Sequence, residues 1–231
     1  MSYYLRCPIT EEHGKTAHEL ISKLREKPIP KLHTSQLVDI TVTGTAIQID
    51  HYFINPMIEL KISPFIQQMI VLGKKTGLSI MSPISKRSYD HMNSDQILRI
   101  ADFLETFLWI EQKGVSTHHK YYMECPLSES VGKLAKQLVT LIRNNPSPKT
   151  YTDKLVQLTV QSAQAQFDFY FIKPMNILNI SPFFKRMSEV GIQQGLSIIS
   201  TVGHKSYDHM SKQQLLKIAD YIDQFVFFHK A

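Results

Sequence analysis

The sequence predicts an α+β fold built as a tandem duplication, and three observations carry that expectation. Shifted by 118 residues, the 231-residue chain superimposes on itself without a gap from Tyr3 on Tyr121 to Phe107 on Phe225, and about 48 of these 105 aligned positions are identical. Each copy, 1–113 and 119–231, has the size of a domain and not of a short solenoid unit. Within a copy the apolar spacing switches between a helical period and strict alternation, as mixed helices and strands require.

Taken in order, Tyr3 to Ile9 reads as a strand and Glu11 to Lys27 as a helix with Ala17, Leu20, Ile21 and Leu24 on one face. Pro28 and Pro30 end that helix. Gln36 to Thr43 and Ala46 to Ile54 alternate, Val38, Ile40 and Val42 on one side and Ile47, Ile49 and Phe53 on the next, which suggests a hairpin. Ser63-Pro64 is an N-cap with proline at the first helical position, opening a helix to about Thr76 before Gly77. Leu78 to Ser82 reads as a short strand and Asn93 to Glu111 as a long helix. The first six elements have the βαββαβ order of a ferredoxin-like domain, and the last is an added C-terminal helix in each copy. That helix is apolar on most sides, so it must be covered by the sheet, by the other copy, or by a second chain in a homo-oligomer. The linker, around Lys113 to Lys120, is too short to let the copies move far apart.

A hydrophobic content of 43% is enough for a cored protein. No stretch approaches the roughly 18 apolar residues that span a bilayer, and the N-terminus lacks a basic segment followed by an apolar run; a cytoplasmic location and no membrane partner are expected on that ground. Cys7 and Cys125 fall at one repeat position, as matched buried thiols and not a disulfide framework. The net charge is +6; residues 1–117 carry 13 basic and 12 acidic side chains and residues 118–231 carry 13 and 8, so the excess lies in the second half. No basic run exceeds two residues, which argues against a continuous nucleic-acid-binding stripe.

Gly14-Lys15-Thr16 resembles the end of a phosphate loop, but Ile9 stands where that motif needs a glycine, and the second copy reads Gly132-Lys133-Leu134. There is no ligand-spaced Cys/His cluster; His204, His209 and Asp208 could meet at a metal, but surface histidines are the commoner case, and no metal or cofactor is expected. Ser88-Tyr89-Asp90-His91-Met92 recurs intact as Ser206-Tyr207-Asp208-His209-Met210. Asp90, His91, Asp208 and His209 are therefore the candidate acid–base groups of a hydrolase-type enzyme. Capping boxes at Asn93/Gln96 and Ser211/Gln214, each preceded by a stapling methionine, explain part of the same segment structurally. Gln48, Asp50, Tyr52 and Ile54 recur as Gln166, Asp168, Tyr170 and Ile172 while the alternate positions change, so one strand face would be held for a shared contact.

These features favour a non-enzymatic binding protein whose two copies present paired surfaces to a macromolecular, most simply a protein, partner, as inhibitor, immunity or antitoxin proteins do. Asp50, Tyr52, Tyr89, Asp168, Tyr170 and Tyr207 are the candidate binding residues. A further alternative is single-stranded RNA stacking on Tyr4, Tyr52, Tyr122 and Tyr170, with Lys15, Arg25, Lys31, Lys133, Arg143 and Lys149 adding charge.

Overall fold

The aromatic and apolar run that opens each copy forms a strand, and in the computed structural model, which describes residues 2–111, 120–180 and 182–229, the two runs pair with each other. β1 (Ser2–Ile9) and β3 (Lys120–Leu127) are antiparallel, with Leu5 opposite Cys125, Cys7 opposite Met123 and Arg6 opposite Glu124. Two four-residue strands, β2 (Leu108–Glu111) and β4 (Val226–His229), complete one sheet in the order β2-β3-β1-β4. Residues 112–119 of the expected linker lie outside the described residues.

Alternation along β1 sends Tyr3, Leu5 and Cys7 into the helical core and Arg6 to the other face. There the Arg6 Nε donates to Glu124 Oε1 at 2.7 Å, with both side chains under 9% exposed. The guanidinium lies 3.5 Å from the centre of the Phe227 ring and 4.9 Å from that of Tyr122, so aromatic faces replace the water it gives up. Removing one member of such a pair strands the other charge, whereas removing both need not cost anything. Arg6→Met should therefore lower the unfolding free energy in urea by about 3–5 kcal/mol, and Arg6→Met with Glu124→Leu should recover most of that loss.

The helix that follows each central strand packs reciprocally. α1 (Glu11–Glu26) begins at Thr10, whose hydroxyl accepts from the His13 N–H at 3.1 Å, and α6 (Glu129–Asn144) begins at Ser128 in the same way. Gly14 of α1 sits under Tyr121 of β3, and Gly132 of α6 under Tyr3 of β1; a Cβ at either position would overlap the ring. The glycine of the phosphate-loop lookalike is thus a packing residue that lets a helix of one copy approach a strand of the other. In an open helix Gly→Ala stabilises by up to about 1 kcal/mol. Here Gly14→Ala should instead destabilise by about 1–3 kcal/mol, read from the urea midpoint.

The ferredoxin-like expectation is overturned beyond this point. Among the described residues the fold is mostly helical, with ten α-helices, two π-helical turns and the one sheet. Gln36 to Ile54 is not a hairpin: α2 (Pro30–Ile49) runs through it and passes into a π-helical turn, Asp50–Ile54. The β-branched run that alternates also places Leu37, Ile40, Gly44 and Gln48 at helical spacing, and this is the set that is buried. Its threonines fit a helix by bonding back one turn, Thr41 Oγ1 to Leu37 O at 2.7 Å and Thr45 Oγ1 to Thr41 O at 2.8 Å. After α3 (Asn55–Glu59), α4 (Pro64–Asp90) continues through Gly77, through the expected strand Leu78 to Ser82, and through Pro83. Packing along α2 outweighs those breakers.

α5 (Ser94–Phe107) opens with the expected capping box, since Asn93 Oδ1 accepts from Gln96 N–H and Gln96 Oε1 from Asn93 N–H, both at 2.9 Å. It stops at Phe107, and Leu108 to Glu111, expected to continue the helix, forms the edge strand β2. The second copy repeats the arrangement as α7 (Pro148–Phe167), a π-turn at Asp168–Ile172, α8 (Lys173–Ile177), α9 (Pro182–Tyr207) and α10 (Lys212–Phe225). Arg25 bridges Asp102 and Glu105, and Arg143 bridges Asp220 and Asp223, tying the first and last helices of each copy. α4 and α9 form the layer remote from the sheet, packed mainly on α2 and α7. Among the described residues no helix is long and apolar enough to cross a membrane.

Candidate functional site

Between α2 and α4, and again between α7 and α9, lies an apolar space that the other copy closes. The closing piece is the π-turn with the short helix after it. Pro56 and Pro174 start those short helices, and Lys61 and Asn179, at φ 53° and 50°, turn the chain back toward α4 and α9. Each turn is held from across the molecule: Gln214 Nε2 donates to Leu60 O at 2.5 Å and Gln96 Nε2 to Leu178 O at 2.8 Å. These are the capping-box glutamines, so the amide that starts a helix in one copy also fixes the crossover of its twin. Tyr221 and Lys217 of α10 add bonds to Glu59.

Two related cavities result. One, of about 410 Å³, lies between Thr41, Gln48 and Tyr89 of the first copy and Tyr170, Phe171 and Met175 of the second. Its counterpart, of about 210 Å³, lies between Thr159, Gln166 and Tyr207 of the second copy and Tyr52, Phe53 and Met57 of the first. Phe53, Ala163 and Gln166 line both, so the two spaces meet at these side chains. Among the described residues no Asp, Glu, Lys, Arg or His lines either cavity.

The polar atoms at the walls are mostly committed. Tyr89 and Tyr207 hydroxyls bond Thr41 and Thr159 at 2.8 Å, and burial raises both phenol pKa values. Ser88 Oγ donates to Ile84 O at 2.9 Å. Its equivalent differs: the Ser206 hydroxyl, lining the smaller cavity, is shut off from solvent with no hydrogen-bond partner among the described residues. A buried polar group in that state is the exception and calls for a partner.

The expected acid–base residues lie at the ends of α4 and α9, outside these cavities. His91 is exposed, and its Nδ1 lies 2.7 Å from Arg87 O of its own helix. Asp208 accepts from Thr152 Oγ1 at 2.7 Å, and His209 is exposed; Asp90 is half-buried. His204 Nδ1 stands 3.8 Å from Asp153, and among the described residues no group of three His, Cys, Asp or Glu side chains is placed to hold a metal.

Of the expected binding residues, Asp50 pairs with Lys74 at 2.6 Å and Asp168 accepts from Gln164 at 2.7 Å. Tyr52 and Tyr170 pack against both cores beside Cys7 and Cys125 at the centre of the molecule, where burial holds their phenols well above the usual range. Gln48, Asp50 and Tyr52 sit on a helix and not on a strand, so Gln48 and Tyr52 share a face because they are one turn apart. Compared with family models, with curated proteins and with solved structures, the chain matches none.

Burial pushes both thiols up to about 12. In the folded protein they should stay unmodified by Ellman's reagent at pH 8 and react fully in denaturant. Because the folded-state value is raised, their contribution to stability is intact below the ordinary thiol value and is lost as pH rises through about 12. Rapid reaction of native protein at pH 8 would remove this placement.

Proposed function

We propose that the chain is a non-catalytic binding protein whose ligand is a small, uncharged, predominantly apolar molecule held in the paired cavities. The observation that carries this reading is the lining, apolar side chains with a few neutral polar ones and, among the described residues, no carboxylate, imidazole or basic side chain. A charged ligand buried there would lack a counter-charge, which is costly. Concave, mostly apolar spaces with a few oriented polar groups are the common form of small-molecule sites. A cytoplasmic site of action is part of the proposal, supported by two free thiols in place of a disulfide.

N-phenyl-1-naphthylamine, a neutral fluorophore, should brighten on titration into the protein and be displaced by 1-dodecanol. Ala163→Leu fills both cavities without changing the surface and should abolish the signal. Fluorescence unchanged from buffer, with the circular dichroism of folded protein, would reject the reading.

A further inference from the structure

We infer that α4 and α9 form a docking face for an anionic lipid bilayer, which they touch from outside without crossing. On α4, Phe65, Met69, Leu72, Ile80 and Ile84 follow one another at spacings of three, four or eight and are 43–69% exposed. Phe65, Met69 and Leu72 line neither cavity, while Ile80 and Ile84 continue the exposed run to the rim of the larger one, on the outermost helix of the first copy. On α9 the repeat-equivalent Met187, Val190 and Ile198 are 54–57% exposed. The two helices flank the same cavities, Ile70 of α4 facing Ile198 of α9 in one and Ser188 of α9 facing Ile80 of α4 in the other, so both stripes belong to one layer. The cavities account for Ile80, Ile84 and Ile198 in part, but Phe65, Met69, Leu72, Met187 and Val190 line neither of them.

Charge selects the occupant. Pro64–Asp90 and Pro182–Tyr207 together hold seven basic side chains, Lys74, Lys75, Lys86, Arg87, Lys185, Arg186 and Lys205, against Asp90 and Glu189. That net of +5 is nearly the whole of the chain's +6. Lys74 turns inward to Asp50, while Lys75, Lys86, Arg87, Arg186 and Lys205 are exposed beside the stripes. A second copy docked through this face would oppose like charges. A bilayer with anionic headgroups supplies apolar depth for the stripes and counter-charge for their flanks, as basic amphipathic helices lying in an interface require. The expectation of no membrane partner rested on the absence of a spanning segment, which this mode of contact does not need.

The inference goes beyond the ligand reading and can fail separately, since vesicle contact requires no occupied cavity. Purified protein is mixed with sucrose-loaded vesicles of phosphatidylcholine alone or of equal parts phosphatidylcholine and phosphatidylglycerol, then pelleted. It should sediment with the anionic vesicles only, and less so in 0.5 M than in 0.1 M salt, a concentration range over which screening sharpens. Leu72→Ser with Val190→Ser, both exposed and remote from the cavity linings, should lower the partition coefficient about tenfold or more. Lys75→Glu, Lys86→Glu, Arg186→Glu and Lys205→Glu combined should do the same. Failure to sediment with anionic vesicles overturns the inference, as does equal sedimentation with neutral ones. A dimer in light scattering that Leu72→Ser with Val190→Ser dissolves would also overturn it, by giving the face to a second copy.

Discussion

The antiparallel pairing of β1 with β3 is the constraint from which the rest of the molecule follows. It lays the opening strands of the two copies against each other about a local two-fold axis that passes between Arg6 and Glu124. With that register set, α1 falls on the strand of the other copy, and Gly14 and Gly132 become the points of closest approach. The same axis brings Tyr52, Tyr170, Cys7 and Cys125 to the centre and directs each crossover onto the opposite twin. Neither copy's core is closed without side chains from the other: Met123 belongs with the first and Leu5 with the second.

Sequence patterns reveal the repeat, the opening strands, the first helix and its buried face, and the capping boxes, because each is written in contiguous residues whose local preferences agree with the fold. The middle of each copy is not legible in the same way. Residues 36–54 are rich in β-branched side chains and carry both a two-residue and a helical apolar period, and only packing against α4 decides between them. Gly77 and Pro83 are ordinary helix stops, yet α4 passes through both, since tertiary contact outweighs a propensity cost of about 1 kcal/mol for the glycine and about 3 for the proline. At Leu108 the error runs the other way: a helix that could continue gives way to a strand because the edge of β3 is there to pair with.

The cavities are legible only in part. Their walls come from both copies, in the larger one from residues 41–89 and 163–188, so no local motif spells them. The signal that was present is retention between copies: Thr41, Gln48, Tyr52, Phe53, Pro56, Met57 and Leu60 recur unchanged as Thr159, Gln166, Tyr170, Phe171, Pro174, Met175 and Leu178 and line the two spaces. Read as one face of a strand, that retention points outward to a partner. Read on a helix and its crossover, it points inward. The Asp–His pairs drew attention for their chemistry, whereas Tyr89 and Tyr207 beside them form the bonds to Thr41 and Thr159 that close the base of each helical hairpin.

The axis through Arg6 and Glu124 has a bearing on how such a chain can exist. These residues occupy one repeat position and face each other, so either copy paired with itself would set arginine against arginine or glutamate against glutamate in a nearly dry site. Opposite charges there require two different sequences, which a single polypeptide carrying both copies supplies in fixed proportion. The halves are thereby complements, each a poor mate for its own kind, so a dimer of either half with itself would meet like charges at its centre.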